Sequence, residues 1–146
     1  VIHEALKHIN RKSSEHIIKV EDTEILLMAK LDPQLIIQVM INLIDNAIKF
    51  TPVGSEIVIS TKKKDDWIVV DVVDNGNGID ADAKENLFEM FYTANQSIAD
   101  SRRGMGIGLA LCKSIIEAHG GTLTVHDKIP SGAIFRFTLQ SQEVEL

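Results

Sequence analysis

The feature that most constrains this chain is residues 38–51, QVMINLIDNAIKFT, where an apolar segment carries a regular series of polar side chains. The apolar positions and good helix formers predict a buried helix of about four turns. The polar residues fall close to one line along that helix; they are Gln38, Asn42, Asp45, Asn46 and Lys49. Asparagine is unfavourable inside a helix because its amide competes with the backbone for hydrogen bonds. The polar stripe therefore indicates a task other than helix formation.

Length and composition indicate one globular domain. The chain has 146 residues, of which 45% are hydrophobic and 25% charged, as in ordinary globular proteins. No segment approaches the run of about 20 apolar residues that is needed to cross a bilayer. The formal net charge of -6 argues against nucleic acid as a partner, because such binding is normally driven by lysine and arginine, but it allows a local phosphate pocket.

The two ends of the chain are predicted to lie outside the main domain. Residues 1–12 have helical spacing of apolar positions without the order of a signal peptide, so we expect the remnant of a helix from a longer protein. Residues 13–140 are expected to form the domain, and 141–146 a frayed tail. The single cysteine, Cys112, is expected to be a small core residue in a reducing cytosol, with a reactive thiol as the alternative.

The order of predicted elements favours an α+β fold. Alternating or β-branched segments predict strands at 15–20, 24–30, 56–63, 67–73, 122–127 and 133–139. Caps and helical spacing predict helices at 33–50, 81–90 and 109–119. Residues 92–103 are polar and without period, as in a functional loop or a disordered segment. We therefore predict a two-layer sandwich with three helices on one face of a mixed, mostly antiparallel sheet of about five strands.

Glycines and amides supply candidate phosphate and metal sites. Residues 104–108, GMGIG, precede a predicted helix, and free N–H groups at a helix N-terminus suit phosphate oxygens; a simple turn is the alternative. Mg²⁺ takes oxygen ligands and is usually shared with substrate phosphates, so an amide oxygen of Asn42 or Asn46 is a suitable ligand. The alternative is that both amides bond to neighbouring loops.

Asp74 is a candidate for base recognition. It ends an apolar strand, where its carboxylate can accept a hydrogen bond from the amino group of an adenine. Gly76 and Gly78 would let the base approach the backbone. The alternative is a turn aspartate that bonds its own backbone.

The motifs in this fixed order resemble the ATP-binding catalytic domain of sensor histidine kinases, within the group that includes Hsp90, type II topoisomerases and MutL. The resemblance covers residues 16–140. NLIDNAIKFT is similar to the asparagine box, DNGNGI to the first glycine box, FEMFY to the phenylalanine box and GMGIGL to the second glycine box. It implies the Bergerat-type fold with bound ATP and Mg²⁺.

The resemblance also implies roles for particular residues. Asn46 matches the Mg²⁺ ligand, and Asn42 stands where ATP-hydrolysing relatives carry a catalytic glutamate. Catalytic roles are expected for Asn42, Lys49 and Arg103, the arginine being inferred from its charge beside the loop at 92–103. The residues expected to contact ATP are Asn42, Asn46, Lys49, Phe50, Asp74, Gly76, Gly78, Ile79, Phe91, Tyr92, Gly104, Met105, Gly106, Ile107, Gly108, Leu109 and Thr138.

The resemblance implies a function that needs a second domain. The chain is expected to donate the γ-phosphate of ATP to a histidine on a separate dimerisation domain, and to act on a response regulator only indirectly. His3 lacks the rest of the acceptor motif, and His119 is expected to be a cation near a helix C-terminus. The stretch SRRGMGIGLALCKSIIEAHGG is similar to potassium-responsive Kdp-type sensor kinases. We expect a monomeric fragment, and a cytoplasmic domain of a membrane-anchored sensor.

Two other functions fit the same sequence. One is a nucleotide-sensing module whose bound ATP only changes its contacts with a partner. The other is a serine kinase of the anti-sigma type, which shares the fold.

Overall fold

The computed structural model describes residues 2–9, 16–21, 31–49, 51–52, 54–76 and 107–141. Within them the helices are α1 (Ile2–Ile9), α2 (Pro33–Lys49) and α3 (Ile107–Ala118). The strands are β1 (Ile17–Glu21), β2 (Glu56–Lys64), β3 (Trp67–Asp74), β4 (Leu123–Asp127) and β5 (Ala133–Gln140). The predicted strand at 24–30, helix at 81–90 and loop at 92–103 lie outside the described residues.

The start of α2 follows from its local sequence. Asp32 Oδ1 accepts hydrogen bonds from the backbone N–H groups of Gln34 and Leu35, at 3.0 and 3.3 Å. These are N–H groups of the first helical turn, which have no partner inside the helix. Pro33 occupies the first helical position, where its missing N–H is not needed. The prediction that this helix begins at Asp32 and Pro33 is confirmed.

The end of α3 is closed by a glycine motif. The Gly120 N–H donates to the Glu117 carbonyl at 2.9 Å, and the Gly121 N–H donates to the Ile116 carbonyl at 3.0 Å. Gly120 has a φ of 80°, the left-handed conformation that this motif requires. The predicted cap at these two glycines is confirmed.

His119 differs from its prediction. Its Nε2 lies 3.0 Å from the backbone nitrogen of Asp32, whose N–H can only donate. Nε2 is therefore the acceptor, and Nδ1 carries the proton that is donated to the Ile115 carbonyl at 2.7 Å. The imidazole thus bridges two helix ends in this structure, a role that the sequence did not predict.

The sheet is of the predicted type. Among the residues that the structure describes, five strands lie in the order β1-β2-β3-β5-β4, with β1 parallel to β2 and the remaining pairs antiparallel. The prediction of a mixed, mostly antiparallel sheet is therefore correct. None of the helices in the described part of the chain is long and apolar enough to cross a membrane.

The helices cover one face of the sheet and form the core with it. Strand side chains on that face are almost completely buried; they include Ile57, Ile59, Ile68, Val70, Val72, Phe135, Phe137 and Leu139. Ile2 and Ala5 of α1 are also buried, and α1 packs against α2. These two residues of the short first helix are therefore covered within this chain.

The opposite face of the sheet carries a salt bridge. Asp71 on β3 lies directly across from Arg136 on β5, and the guanidinium donates Nε–H and N–H bonds to the two carboxylate oxygens at 2.7 and 3.1 Å. The hydrogen bond to Asp71 raises the pKa of Arg136 above its ordinary value. This bidentate pair ties the two central strands together on the side away from the helices.

Candidate functional site

The polar stripe of α2 lies at the margin of the core. Asn42, Asp45, Asn46 and Lys49 are all partly buried, whereas Gln38 is exposed. The residues between them include Leu43, Ile44 and Ala47, which are buried. The four partly buried polar groups therefore occupy a ridge between the packed interior and solvent, where a ligand can reach them.

The middle of α2 lies against the first turn of α3. A Cβ atom added to Gly108 would be 3.9 Å from Cγ and Oδ1 of Asn42. One helical turn further on, the Cys112 thiol points at the Val39 carbonyl, with a sulfur-to-oxygen distance of 3.9 Å. The helices therefore run antiparallel, with the N-terminus of α3 beside Asn42. The positive end of the α3 dipole and its free N–H groups are thus close to the amide stripe.

The start of α3 differs slightly from its prediction. The helix begins at Ile107, two residues before the predicted start, so Gly108 belongs to its first turn. Leu109 is buried against the core, with 8% of its surface exposed. Leu109 therefore helps to hold α3 in place, while Gly108 faces Asn42.

The Cys112 thiol is a core group. It is fully buried, and burial raises its pKa to about 11, against a smaller opposite effect from hydrogen bonding to Asn42. The thiol therefore stays protonated at neutral pH, and the prediction of a small core residue is confirmed. Asn42 thus has a structural partner, which lies on α3 and not on a neighbouring loop.

Asp74 closes the loop that follows β3. It is 6% exposed, and its Oδ1 accepts hydrogen bonds from the N–H groups of Gly76 at 2.9 Å and of Ala133 at 3.3 Å. The first bond is the turn interaction that was considered as an alternative to base recognition. Neither bond uses Oδ2. The carboxylate can therefore hold the turn with one oxygen and bind a ligand with the other.

Gly76 is required by close packing. A Cβ atom at this position would lie 2.7 Å from Thr51 Cγ2 and 3.2 Å from Asp74 Oδ1. The Thr51 hydroxyl donates to the Ala47 carbonyl at 2.6 Å and accepts from His16 Nε2 at 2.9 Å. The end of α2, the loop after β3 and the residue before β1 therefore meet at one point.

Sequence reasoning missed three of these contributors. No role is predicted from the sequence for Thr51 beyond its place in the stretch 38–51, and none for His16, which is half-buried beside it. Ala133, which donates to Asp74, was treated only as the start of a strand. The signal for Ala133 was the preceding Gly132, whose φ of 119° and close approach to the Asp74 carbonyl bring the turn after β4 against the end of β3.

Thr138 is not at this site. It lies on β5 about 16 Å along the strand from Ala133, by the usual rise per residue. Its hydroxyl accepts a hydrogen bond from the Thr122 N–H at 3.0 Å. The β5 residue beside Asp74 is therefore Ala133, whereas Thr138 lies opposite Val69, away from Asp74.

Several predicted site residues lie outside the described residues. They are Phe50, Gly78, Ile79, Phe91, Tyr92, Arg103, Gly104, Met105 and Gly106. The side chain of Ile107 is also outside the description, although its backbone begins α3.

The donor atoms near α2 suit a shared magnesium ion. In the described part of the chain, no group of three or more His, Cys, Asp or Glu side chains forms a metal cage. Mg²⁺ does not require one, because it keeps several waters and commonly takes substrate phosphates as ligands. The partly buried amide of Asn46 fits the role of a protein ligand in such a site.

Comparison with known proteins places these features in a family. Residues 31–143 match the profile described as histidine kinase-, DNA gyrase B- and HSP90-like ATPase. The sensor protein KdpD of Clostridium acetobutylicum is 44% identical over 142 residues, which cover 97% of this chain and 16% of that protein. The chain thus spans about one sixth of the length of this relative.

Solved structures agree in fold. The catalytic domain of histidine kinase ThkA in a nucleotide-free form matches with a TM-score of 0.82 and 28% identity, covering 97% of this chain and 90% of that one. ThkA in complex with response regulator protein TrrA matches with a TM-score of 0.78 and 27% identity, covering 97% of this chain and 39% of that one.

Proposed function

The chain belongs to the histidine kinase-, DNA gyrase B- and HSP90-like ATPase family, and on this premise we propose that it binds Mg-ATP and donates the γ-phosphate to a histidine on a separate dimerisation domain. The observation that carries the proposal is the position of Asn42 beside the first turn of α3. It brings an amide stripe and the positive end of a helix dipole to one place, as a triphosphate with its metal requires.

The base of the nucleotide binds at Asp74. Oδ1 is occupied by two backbone N–H groups, so Oδ2 is the oxygen that accepts from the exocyclic amino group of adenine. The close contact between Gly76 and Thr51 keeps this part of the site free of a further side chain. The base thus lies between the end of β3 and the end of α2.

The phosphates bind between α2 and the N-terminus of α3. Asn46 supplies an amide oxygen to Mg²⁺, and Lys49 neutralises part of the phosphate charge. Asn46 would hold a bound Mg²⁺, which would supply charge neutralisation at the phosphates. The proposal also includes phosphate contacts from Gly104 and Gly106. Arg103 would close the site over the phosphates.

The site transfers phosphate rather than hydrolysing ATP quickly. The reason is that Asn42 stands where ATP-hydrolysing relatives carry a catalytic glutamate, and an amide cannot act as a general base toward water. The acceptor histidine nitrogen forms the new bond to the γ-phosphorus, the bond to the bridging oxygen breaks, and ADP leaves. The protein contributes positioning and charge neutralisation, which are the main terms in phosphoryl transfer.

The partners follow from the same proposal. The acceptor lies on the dimerisation domain of the same kinase, and a response regulator receives the phosphate from that histidine. ThkA, a similar protein, has been solved in complex with the response regulator TrrA, which supports this assignment. Similarity to KdpD supports a Kdp-type sensor that responds to potassium, in which this chain is a cytoplasmic domain of a membrane-anchored protein. We also propose that the isolated chain is monomeric.

A transfer assay tests the function. The chain is mixed with a separately purified dimerisation domain of its kinase and γ-labelled ATP, with and without Mg²⁺. We expect Mg²⁺-dependent label on the acceptor, lost in acid and retained in base, because phosphohistidine is acid-labile. An acceptor domain with glutamine in place of its histidine is the control and should remain unlabelled.

The rival functions give different results in this assay. ATP binding without any transfer would support a nucleotide-sensing module and contradict the kinase. Acid-stable label would favour a serine kinase of the anti-sigma type. Label that persists on the glutamine control would also contradict transfer to histidine.

A further inference from the structure

His119 connects the two helices that flank the proposed phosphate site. It follows α3, donates from Nδ1 to the Ile115 carbonyl at 2.7 Å and accepts from the Asp32 N–H at Nε2, at 3.0 Å. Asp32 immediately precedes α2. One imidazole thus joins the C-terminal end of α3 to the N-terminal end of α2.

Neither helix needs this imidazole to satisfy its own end. The Gly120 and Gly121 N–H groups already bond to the last carbonyls of α3. The Asp32 carboxylate already accepts from the first N–H groups of α2. The bond that the imidazole adds beyond these caps is the one between the helices.

The bridge lies at the far end of the helix pair from the proposed site. Asn42 is about 15 Å along α2 from Asp32, by the rise of an α-helix, and Gly108 lies at the matching level of α3. Between the two levels, the described polar contacts are those of the Cys112 thiol, which lies 3.9 Å from the Val39 carbonyl and also hydrogen-bonds to Asn42. The remaining contact is apolar packing, which has no directional preference.

We propose that His119 is a positioning residue for nucleotide binding, an inference that rests on the proposed function. Its bridge fixes how α2 lies along α3, and so fixes the distance from Asn42 and Asn46 to the N-terminus of α3. A site of this kind must hold its groups within about 0.5 Å of the productive geometry. Loss of the bridge lets the helices shift, and the affinity for Mg-ATP falls.

Two substitutions separate the bonds of the imidazole. His119→Asn keeps a donor near the position of Nδ1 but is too short to reach Asp32. His119→Gln places an acceptor oxygen near the position of Nε2 and can keep the bond between the helices. The dissociation constant for Mg-ATP is measured by calorimetry on the chain and its variants at pH 8.

We expect His119→Asn to weaken Mg-ATP binding about two- to tenfold, the size of one net hydrogen bond, and His119→Gln to stay within about twofold of the wild type. Wild-type affinity in His119→Asn would overturn the inference. So would an equal loss in His119→Gln, because the inter-helix bond would then not be the cause.

Thr122→Val is the matched control. It removes the hydroxyl that lies 3.2 Å from the Thr138 hydroxyl, in the segment just after α3, and this bond does not involve α2. We expect lower stability in urea with unchanged Mg-ATP affinity. An affinity loss equal to that of His119→Asn would mean that general destabilisation is responsible, and the inference would be wrong.

Measurements without nucleotide distinguish failure of this inference from failure of the proposed function. In the free chain, His119→Asn should speed exchange of the Asp32 amide proton and shift the NMR resonances of Asn42. Unshifted Asn42 resonances would overturn the positioning role, whether or not ATP binds. Absence of Mg-ATP binding by the wild-type chain would overturn the proposed function.

Discussion

Replacement of Asp74 by asparagine should reverse the base preference of the site while it preserves the fold. Asp74 Oδ1 accepts from two backbone N–H groups, those of Gly76 and Ala133. The amide oxygen of asparagine can accept both bonds. The other atom changes from an acceptor, Oδ2, to a donor, Nδ2, and would then face the amino group of adenine with a second donor.

The size of this effect follows from the bond that is lost. A hydrogen bond to a charged group contributes about 1.5–3 kcal/mol, so Asp74→Asn should weaken Mg-ATP binding about 10- to 150-fold. ITP carries an oxygen where ATP carries the amino group, and this oxygen can accept from Nδ2. The variant should therefore bind Mg-ITP more tightly than Mg-ATP.

Asp74→Ala provides the contrast in stability. It leaves two buried N–H groups without their acceptor, at about 1–3 kcal/mol each, so about 2–6 kcal/mol of unfolding free energy should be lost. Asp74→Asn should lose much less. Urea unfolding gives the stabilities, and calorimetry gives the ratio of ATP to ITP affinity.

Two results would refute this reasoning. If Asp74→Asn prefers ATP over ITP as strongly as the wild type, Asp74 does not read the base. If it unfolds as easily as Asp74→Ala, the assumption that Oδ1 holds the two N–H groups while Oδ2 binds the base is wrong.

The remaining predictions concern the metal, two glycines and the thiol. Asn46→Ala should abolish the Mg²⁺ dependence of ATP binding in calorimetry, and unchanged dependence would exclude Asn46 as the ligand. Gly132→Ala should destabilise the protein by several kcal/mol in urea, because the new Cβ would meet the Asp74 carbonyl and the φ of 119° is unfavourable for alanine. Gly108→Ala is the control for this substitution and should be neutral or stabilising by up to about 1 kcal/mol, since its Cβ would lie 3.9 Å from Asn42 inside a helix. A large loss of stability in Gly108→Ala would contradict the packing described. The pKa of Cys112 is raised from 9.0 to about 11, so the folded state favours the neutral thiol. The stability that depends on this neutral thiol is therefore fully present below pH 9. Between about pH 9 and 11 the free energy of unfolding of the wild type should fall by roughly 2–3 kcal/mol, as measured by urea unfolding, and that of Cys112→Ala should not show this fall. Equal pH dependence in both proteins would refute the burial argument.

Sequence reasoning succeeded where the signal is local. Asp32 with Pro33 and Gly120 with Gly121 marked helix ends because a cap depends on residues a few positions away. The alternation in β2 and β3 predicted their strands for the same reason. The buried position of Cys112 followed from its apolar neighbours.

It failed where contacts join distant parts of the chain. The bond from Ala133 to Asp74 and the bridge from His119 to Asp32 depend on topology, which local sequence does not reveal. The resemblance included Thr138 among the ATP contacts, but only the sheet register shows that Ala133 is the β5 residue beside Asp74. The residues around the proposed phosphate site were identified by motif, and their roles remain predictions.

The bond between Asp74 and Ala133 also affects how freely the intervening segment can change in length. These residues lie 59 positions apart, yet Asp74 Oδ1 is 3.3 Å from the Ala133 nitrogen, and their strands are adjacent in the sheet. The segment is thus a closed loop anchored at its base. The entropy of closing such a loop grows only with the logarithm of its length, so doubling the length costs about 0.6 kcal/mol. Insertions or deletions between the two anchors, outside α3 and β4, should therefore alter the binding region with little effect on the sheet that supports it.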